Sequence, residues 1–355
     1  VFRLNSADEN FLSKLTLPGA MPCDEEFFNS TRGTYGLTAK TTLSSGPFYL
    51  YNWTSGGLFL RREPSGTLID SLRLVQNTNN ADQSAVELVN GEKCSAALDD
   101  TGSTTSLSSI SYSDTTWSLL FNCSTLFSST ELRQSLAGVA REAAVVPSTG
   151  LFAAADGLIP DGLNVDGMNY RSTVGDVSPA AVDVRALYLS ARQGMANSDF
   201  NKVTLMIPAG SGLTEAAETI NGAWQKELSL FFSIEEVDEE TFQKRLSEGD
   251  YTIALAPISA ESGSVYSMLT QFTTAGGNLT GYANALYATQ LEASTHATGS
   301  ARCRLLGECE RQLLSDCVAV PLFSQQKRLL VASGIKGLIF DPFGPVLDLT
   351  YTTKE

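Results

Sequence analysis

The alternation of apolar and polar residues divides the chain into a first segment of short strands and a second segment of strands and helices. From Ser44 to Glu63 the sequence SSGPFYLYNWTSGGLFLRRE predicts a β-hairpin, because two strand-forming runs flank a Ser-Gly-Gly turn. Its aromatic side chains are expected mainly in the core, since alternation buries one face of a strand. A short helix is predicted near 24–28, and strands and turns fill the rest of the chain to Asn122.

After Asn122 the spacing becomes helical. The stretch SSTELRQSLAGVARE carries apolar residues three and four positions apart, which is typical of an amphipathic helix. Ser128 and Glu131 are spaced as an N-terminal capping box, so the helix is predicted to begin there. A Gly- and Pro-rich stretch that includes GLIPDGL follows and predicts an ordered, irregular loop.

Residues 201–256 alternate between strand and helix patterns. KVTLMIP, FFSIEEV and YTIALAP predict strands, and the two stretches between them predict helices. Strands that alternate with helices of this length form βαβ units with a parallel sheet. Further on, 301–314 predicts a helix, and VAVPLFSQQKRLLVASGIKGLIF predicts a strand-rich end.

Composition indicates a globular protein of about two domains, because 355 residues exceed one typical domain of roughly 150. Hydrophobic residues make up 43%, and no apolar run approaches the ~20 residues of a membrane span. The formal charge of −15 excludes a nucleic-acid binder, which needs a basic surface.

The chain offers little for catalysis. Its one histidine, His296, lies in a polar loop pattern, and the sequence has no cofactor fingerprint and no nucleophile motif. We therefore expect no cofactor and no catalytic residues. Three cysteines between 303 and 317 lack a fourth ligand, so no metal site is expected. Asp99 and Asp100 precede Thr-Gly and predict a turn.

Glu261 differs from the other acids because it follows the predicted strand YTIALAP. In open parallel sheets, ligands bind at the carboxyl ends of the strands. Position alone makes Glu261 a candidate contact for a ligand, although a solvated loop residue is the more common alternative.

Several stretches, taken together and in order, resemble the extracellular solute-binding proteins of family 5, the peptide receptors of ABC importers. The opening hairpin resembles that family's GPY-x-L-x-x-W-x-x-G-x-x-I-x-L-x-R pattern, through Gly46, Pro47, Phe48, Leu50, Trp53, Leu60 and Arg62. NCSTLFSSTELRQSLAGVARE resembles its next pattern through Asn122, Phe127, Leu132, Arg133, Leu136 and Ala140.

The later stretches continue the resemblance. GLIPDGL resembles the family's G-x-x-P-x-G loop, and QFTTAGGNLTGYANALYATQLEAS resembles its F-x-x-G-x-x-N-x-x-G-Y-x-N run. ECERQLLSDCVAVPLF resembles its E-x-x-L-x-x-D-x-P-x-I-P-L-Y run. The family's G-W-x-A-D-Y motif, whose acid holds a peptide amino terminus, matches 257–262 only through Ala260 and Glu261.

The resemblance implies an α/β, two-lobed, periplasmic-binding-protein-like (type II) fold with mixed sheets, in which the N-terminal portion of the first lobe is absent. The first lobe would comprise 1–122 and 328–355, and the second lobe 123–327. The lobes would enclose a ligand on closing. Glu261 would pair with a ligand ammonium, and Asn278, Gly281 and Tyr282 would lie near the binding cleft.

The function implied is that of an extracytoplasmic receptor, not an enzyme, that delivers peptides to the permease subunits of an ABC transporter. It would work as a monomer in the periplasm or at the cell surface, attached to the membrane only by a lipid anchor on an absent N-terminal segment. Two alternatives remain open. One is a glycosidase-like or other hydrolase with a carboxylate pair, and the other is an interaction module that has lost its ligand. Nickel, sugar and opine cargoes also remain open.

Overall fold

The computed structural model describes residues 2–4, 11, 15, 20–63, 68–75, 83–99, 101–148, 152–260, 263–342 and 347–355. Contacts within the chain divide it into two compact units. Unit 1 comprises Val1–Asn10 and Tyr112–Gln326, and unit 2 comprises Phe11–Ser111 and Lys327–Glu355. The two predicted lobes, 1–122 with 328–355 and 123–327, remain a prediction, because two compact units do not by themselves show two lobes that enclose a ligand.

Unit 1 contains the regular α/β part of the chain. Its helices are α3 (Thr130–Ala143), α4 (Tyr170–Val174), α5 (Val184–Ala191), α6 (Thr214–Leu228), α7 (Glu239–Glu248), α8 (Val265–Thr270), α9 (Ala285–Ser294) and α10 (Gly299–Ser315). Its strands are β5 (Ser108–Phe121), β6 (Phe152–Ala154), β7 (Asn164–Val165), β8 (Met168–Asn169), β9 (Thr204–Pro208), β10 (Ser233–Val237), β11 (Ile253–Ser259) and β12 (Ala319–Val331), of which β5 begins and β12 ends in unit 2. Short 3-10 turns lie at Leu126–Ser128, Asn197–Lys202 and Thr274–Gly276.

The sheet of unit 1 has the strand order β10-β9-β11-β5-β12, and β6 pairs with β12. Strands β10, β9 and β11 are parallel, whereas β5 runs antiparallel to β11, with Thr115 opposite Ser259 and Phe121 opposite Ile253. The predicted βαβαβ arrangement of 201–256 is confirmed. The two helices each bury one apolar face, whereas β9 and β11 are buried on both faces and therefore read as continuous apolar runs.

One face of this sheet carries the main core. Leu119, Leu205 and Leu255 project from it, all fully buried, and α3 and α6 cover them. Trp224 of α6 is also fully buried, and its indole Nε1 donates to the Leu136 carbonyl of α3 at 2.9 Å. Burial of such side chains stabilises by about 1.5–3 kcal/mol each, so this face determines where α3 and α6 pack.

Helix α3 begins one residue later than the sequence predicts. Its N-cap is Ser129, whose Oγ accepts from the Leu132 amide at 3.2 Å, so the capping box expected from Ser128 and Glu131 is wrong by one position. Glu131 instead accepts from the Ser129 hydroxyl at 3.0 Å. The apolar face is as predicted, since Leu132 and Leu136 are fully buried.

Unit 2 contains short elements. They are α1 (Glu25–Ser30), the 3-10 turn Ala39–Thr41, β1 (Phe48–Thr54), β2 (Gly57–Arg62), β3 (Ser71–Leu74), α2 (Ala85–Asn90), β4 (Ala96–Asp99), β13 (Ile335–Lys336), β14 (Ile339–Phe340), β15 (Leu347–Asp348) and β16 (Thr353–Lys354). Strands β1, β2 and β3 form an antiparallel sheet, and β4 pairs with the end of β12. The predicted hairpin and the helix near 24–28 are confirmed.

The hairpin's aromatic side chains are less buried than predicted. Trp53 is 48% exposed and Tyr51 is 53% exposed, so the expectation that they lie in the core is wrong. The Arg61 guanidinium carbon lies over the Tyr51 ring, 3.7 Å from the ring centroid. Trp53 shares a sheet face with Leu58 and Leu74 by register, and that face contains no buried residue among those described.

Asp99 is the last residue of β4 and is buried, so it is a strand residue and not the predicted turn residue, and Asp100 lies outside the described residues. Its carboxylate accepts from the Arg328 Nε at 2.7 Å and from the Thr101 hydroxyl at 2.7 Å. Arg328 comes from β12, 229 positions later in the chain. Among the described residues, no helix is long and apolar enough to cross a membrane.

Candidate functional site

The carboxyl ends of the parallel strands β9, β10 and β11 lie at one edge of the unit 1 sheet, the edge where ligands bind in open α/β sheets. At the end of β11, the Ser259 hydroxyl lies 3.0 Å from the Thr115 hydroxyl, and the Ala260 amide donates to the Asp114 carbonyl at 2.8 Å. Nearby on β5, the Ser113 hydroxyl lies 2.7 Å from that of Ser324. The Thr115 hydroxyl also donates to the Asp114 Oδ1 at 2.8 Å, so this carboxyl edge is lined with small hydroxyl groups and one carboxylate.

One amide at the carboxyl edge has a fixed orientation. The Trp117 Nε1 donates to the Gln325 Oε1 at 3.1 Å. Trp117 is 7% exposed and Gln325 is half-buried. Since the amide oxygen is engaged by the indole, the amide nitrogen of Gln325 is the end available to donate to another group.

Glu261 lies outside the described residues, two positions beyond the end of β11. The described chain continues from Gly263 into α8, whose N-cap is Ser264. Gln271, just after α8, donates from Nε2 to the Ser259 carbonyl at 3.4 Å. The prediction that Glu261 contacts a ligand is therefore not tested by the structure.

The other three predicted contacts, Asn278, Gly281 and Tyr282, occupy one loop between α8 and α9. The Cys123 amide donates to the Thr280 carbonyl at 2.7 Å, and the Tyr251 hydroxyl donates to the Leu279 carbonyl at 2.6 Å. These bonds hold the loop at the end of β5 and the start of β11. Asn278 closes the loop internally, because its Nδ2 donates to the Tyr282 carbonyl at 3.1 Å.

Gly281 sits where another residue would fit badly. Its φ is +64°, and a Cβ there would lie 2.3 Å from the Ser124 Oγ. Asn278 also adopts a positive φ, of 45°, which Asn tolerates better than most residues. The glycine of the G-Y-x-N pattern thus has a local steric reason.

Tyr282 is 8% exposed, and its hydroxyl donates to the Asp316 carboxylate at 2.5 Å. Asn284 donates to the same hydroxyl at 2.8 Å, and Gln312 donates to the same carboxylate oxygen at 3.0 Å. Burial and the neighbouring Asp316 raise the pKa of the Tyr282 hydroxyl far above its usual range. Tyr282 is therefore a neutral donor that links its loop to the end of α10.

The structure brings Asn278, Gly281 and Tyr282 together but separates them from the carboxyl edge. The Thr280 carbonyl accepts from the Cys123 amide, two residues after Phe121 at the end of β5. Ser259 instead pairs with Thr115, six residues before Phe121. At ~3.3 Å per residue this separates the loop from the end of β11 by roughly 20 Å. One ligand that contacted both places would have to extend along the sheet.

A cluster that residue-by-residue reasoning missed surrounds Glu310 of α10, which is completely buried. Its carboxylate accepts from the Leu158 and Ile159 amides at 2.9 and 3.1 Å, and from Arg171 at 2.8 Å. The Tyr170 hydroxyl donates to it at 2.9 Å. The family resemblance contained a signal for this cluster, because Glu310 is the first residue of the E-x-x-L-x-x-D run. In the structure, Glu310 binds the loop GLIPDGL, which is another stretch of the resemblance. The cluster is fully hydrogen-bonded at Glu310 and fixes this loop to α10.

Neither His296 nor the buried thiols of Cys309 and Cys317 is placed as a nucleophile or a general base. His296 is 53% exposed on its side chain and lies 3.7 Å from Glu292 one helical turn earlier, as a surface pair. Burial raises the pKa of the Cys309 thiol to about 12 and also raises that of Cys317, so both thiols stay protonated. Within the described ranges no three His, Cys, Asp or Glu residues are grouped closely enough to hold a metal ion.

Comparison with known proteins adds information about the fold. No family model matches the chain, and no curated protein matches it by sequence. Among solved structures, the pheromone receptor PrgZ, described for its mode of peptide binding, is 20% identical with a TM-score of 0.69, over 98% of this chain and 72% of PrgZ.

Two further solved structures match over a similar share of the chain. The substrate-binding domain of an oligopeptide ABC transporter from Bacillus anthracis str. Ames is 20% identical, with a TM-score of 0.69, over 97% of this chain and 71% of that one. Listeria monocytogenes OppA bound to peptide is 19% identical, with a TM-score of 0.67, over 98% and 72%. The predicted α/β, periplasmic-binding-protein-like (type II) fold with mixed sheets is confirmed.

Proposed function

We propose that the protein is an extracytoplasmic solute-binding receptor that binds peptides and passes them to the permease subunits of an ABC transporter. The observation that carries the proposal is the match of nearly the whole chain to the fold of proteins described as binding peptides. The sequence resemblance, which rests on the order of five stretches, supports the same function independently.

The chemistry of the carboxyl edge fits a peptide ligand. A peptide main chain carries one donor and one acceptor per residue, and the edge offers the Ser259 hydroxyl oxygen as an acceptor and the oriented amide of Gln325 as a donor, while the Thr115 hydroxyl already donates to Asp114. Groups of this kind can bind main chain without selecting one side chain. Glu261 would add a carboxylate for the amino terminus of the peptide.

The proposal assigns no catalysis to the protein, which agrees with protonated thiols and a surface histidine. It also places the protein outside the cytoplasm as a monomer, tethered by a lipid. For Tyr282, Asn278 and Gly281 we propose contact with the far part of an extended ligand, since they lie roughly 20 Å along β5 from Ser259.

A thermal-unfolding screen tests the proposal. The protein would be melted with pools of defined peptides of two to nine residues, with benzoate, and with nickel. A peptide at 100 times its Kd should raise the free energy of unfolding by about 2.7 kcal/mol, while benzoate and nickel leave the melting temperature unchanged. No shift with any peptide pool would refute peptide binding.

Calorimetry on a peptide found in this way then tests the residues. Glu261→Gln should weaken binding of a peptide with a free amino terminus, and acetylation of that terminus should weaken it equally for the wild type. Glu240→Gln, which changes an exposed acid in the first turn of α7, is the matched control. Equal affinities for Glu261→Gln and the wild type would remove the role of Glu261 but leave peptide binding in place.

A further inference from the structure

A cavity lies at the opposite edge of the unit 1 sheet, where β9 and β10 begin. Its volume is about 520 Å³, within the range of small-ligand pockets. Six side chains with chemistry useful to a ligand line it: Arg192, Asn197, Asn201, Ser229, Phe231 and Ser233. Because these strands run away from it, this amino-edge pocket is separate from the carboxyl edge proposed for peptides.

The most unusual residue of the amino-edge pocket is Phe231, which is 66% exposed although the residues on either side of it, Leu230 and Phe232, are buried. Phe232 is held in place because Asn221 of α6 bonds both its amide and its carbonyl, at 2.9 and 2.7 Å. An exposed ring on a backbone fixed in this way presents a flat apolar surface at the pocket.

The polar groups of the pocket include both donors and acceptors. The Arg192 guanidinium donates to the Tyr188 hydroxyl at 3.2 Å and to the Asn197 side-chain oxygen, which leaves further N–H groups of the five it carries. Among the described residues no carboxylate lies within ion-pair distance of Arg192. Asn201, Ser229 and Ser233 can each donate and accept.

The electrostatics of the pocket oppose a strongly anionic ligand despite Arg192. Arg192 is the C-cap of α5 and Ser229 is the C-cap of α6, so the negative ends of two helix dipoles lie at the pocket. Each end carries roughly half an elementary charge, and together they offset one guanidinium. The site is therefore close to neutral, with many hydrogen-bonding groups.

From these features we infer that the amino-edge pocket binds a neutral saccharide of one or two rings. A sugar ring has an apolar C–H face that fits against the Phe231 ring. Its hydroxyls can accept from the Arg192 guanidinium, and they can both donate to and accept from the Asn201 amide. This inference does not depend on peptide binding, because none of the residues proposed to contact the peptide lines the pocket.

The test titrates glucose, N-acetylglucosamine, cellobiose and maltose into the protein, with binding measured by saturation-transfer NMR and calorimetry. Glycerol and benzoate are the comparison compounds, because glycerol lacks a ring face and benzoate is an anion. At least one of the four saccharides should bind, and Phe231→Ala and Asn201→Ala should each weaken that binding about tenfold or more, which corresponds to about 1.4 kcal/mol.

Phe231→Ala shortens an exposed side chain, so the fold should be retained, and an unchanged melting temperature would show it. Leu189→Ala is the matched control, because Leu189 is 61% exposed on α5 and does not line the pocket. The inference is overturned if no saccharide binds, if benzoate or glycerol binds as tightly as the best saccharide, or if the Phe231 and Asn201 variants keep wild-type affinity.

Discussion

The indole nitrogen of Trp117 and the side-chain amide of Gln325 are joined by a hydrogen bond of 3.1 Å, although 208 positions separate them in the chain. An indole nitrogen only donates, so the bond fixes which end of the amide is its oxygen. The amide nitrogen of Gln325 is thereby oriented at the carboxyl edge before any ligand arrives.

We expect Gln325→Leu to weaken peptide binding about tenfold, because the variant loses a preorganised donor. It should also lower the free energy of unfolding by about 1–2 kcal/mol, since the buried Trp117 N–H loses its acceptor. Calorimetry and urea unfolding measure the two effects. Gln193→Leu, at a position of unit 1 away from the carboxyl edge, is the control. Unchanged affinity with reduced stability would assign Gln325 a structural role only.

Gly281→Ala should destabilise the protein by about 2 kcal/mol, measured by urea unfolding, because it combines a positive φ with a close approach to Ser124. Gly210→Ala separates the two causes, since Gly210 has a φ of +74° and no described atom lies within 4 Å of the position that a Cβ would take. That control should cost about 1 kcal/mol. Adding Ser124→Ala to Gly281→Ala should recover part of the difference. Equal costs at the two glycines would refute the steric clash.

Glu310→Gln should lower the free energy of unfolding by about 3 kcal/mol, because it leaves the Arg171 guanidinium, only 16% exposed on its side chain, without a buried charged partner. The control is Glu308→Gln on the same helix, whose partner Arg304 is 63% exposed. An exposed pair contributes at most about 1 kcal/mol. Similar losses in the two variants, measured by chemical unfolding, would contradict the role of Glu310 as the anchor of the loop.

Acid should weaken the Asp99–Arg328 pair. Burial disfavours the Asp99 carboxylate, but hydrogen bonds from Thr101 and Arg328 outweigh it and hold its pKa below the ordinary 3.8. A lowered folded-state pKa stabilises the fold above the unfolded pKa, and this stabilisation is lost as pH falls through the folded value.

Asp99→Asn should therefore cost about 2 kcal/mol at pH 7, and this cost should shrink as the pH falls below about 4. Urea unfolding of both proteins between about pH 7 and about pH 2.5 measures the difference. A cost that stays constant across this range would show that the charge of Asp99 does not stabilise the fold.

The sequence was sufficient for the elements whose pattern is local. Helix α6 is predictable because it buries one face and has the matching period, and β9 because it is buried on both faces and carries a continuous apolar run. The capping box at Ser128 failed by one residue, because neighbouring serines at 128 and 129 offer the same chemistry and only the backbone decides between them.

Contacts between distant positions could not be predicted in the same way. Asp99 looked like a turn residue, since its partner Arg328 lies 229 positions away. Trp53 looked like a core residue, because alternation shows which side chains share a face and not whether another element covers that face. The amino-edge pocket combines the ends of α5 and α6 with a 3-10 turn, and none of these has a distinctive local pattern.

The capping of Leu158 and Ile159 by Glu310 has a consequence for the order of folding. The two amides and their carboxylate acceptor are 152 and 151 positions apart, and no nearer group of the described residues bonds these amides. Closing so long a loop is slow compared with forming α10 locally. The loop should therefore reach its native form only after α10 has formed, and its amides should gain protection late in a pulsed hydrogen-exchange experiment.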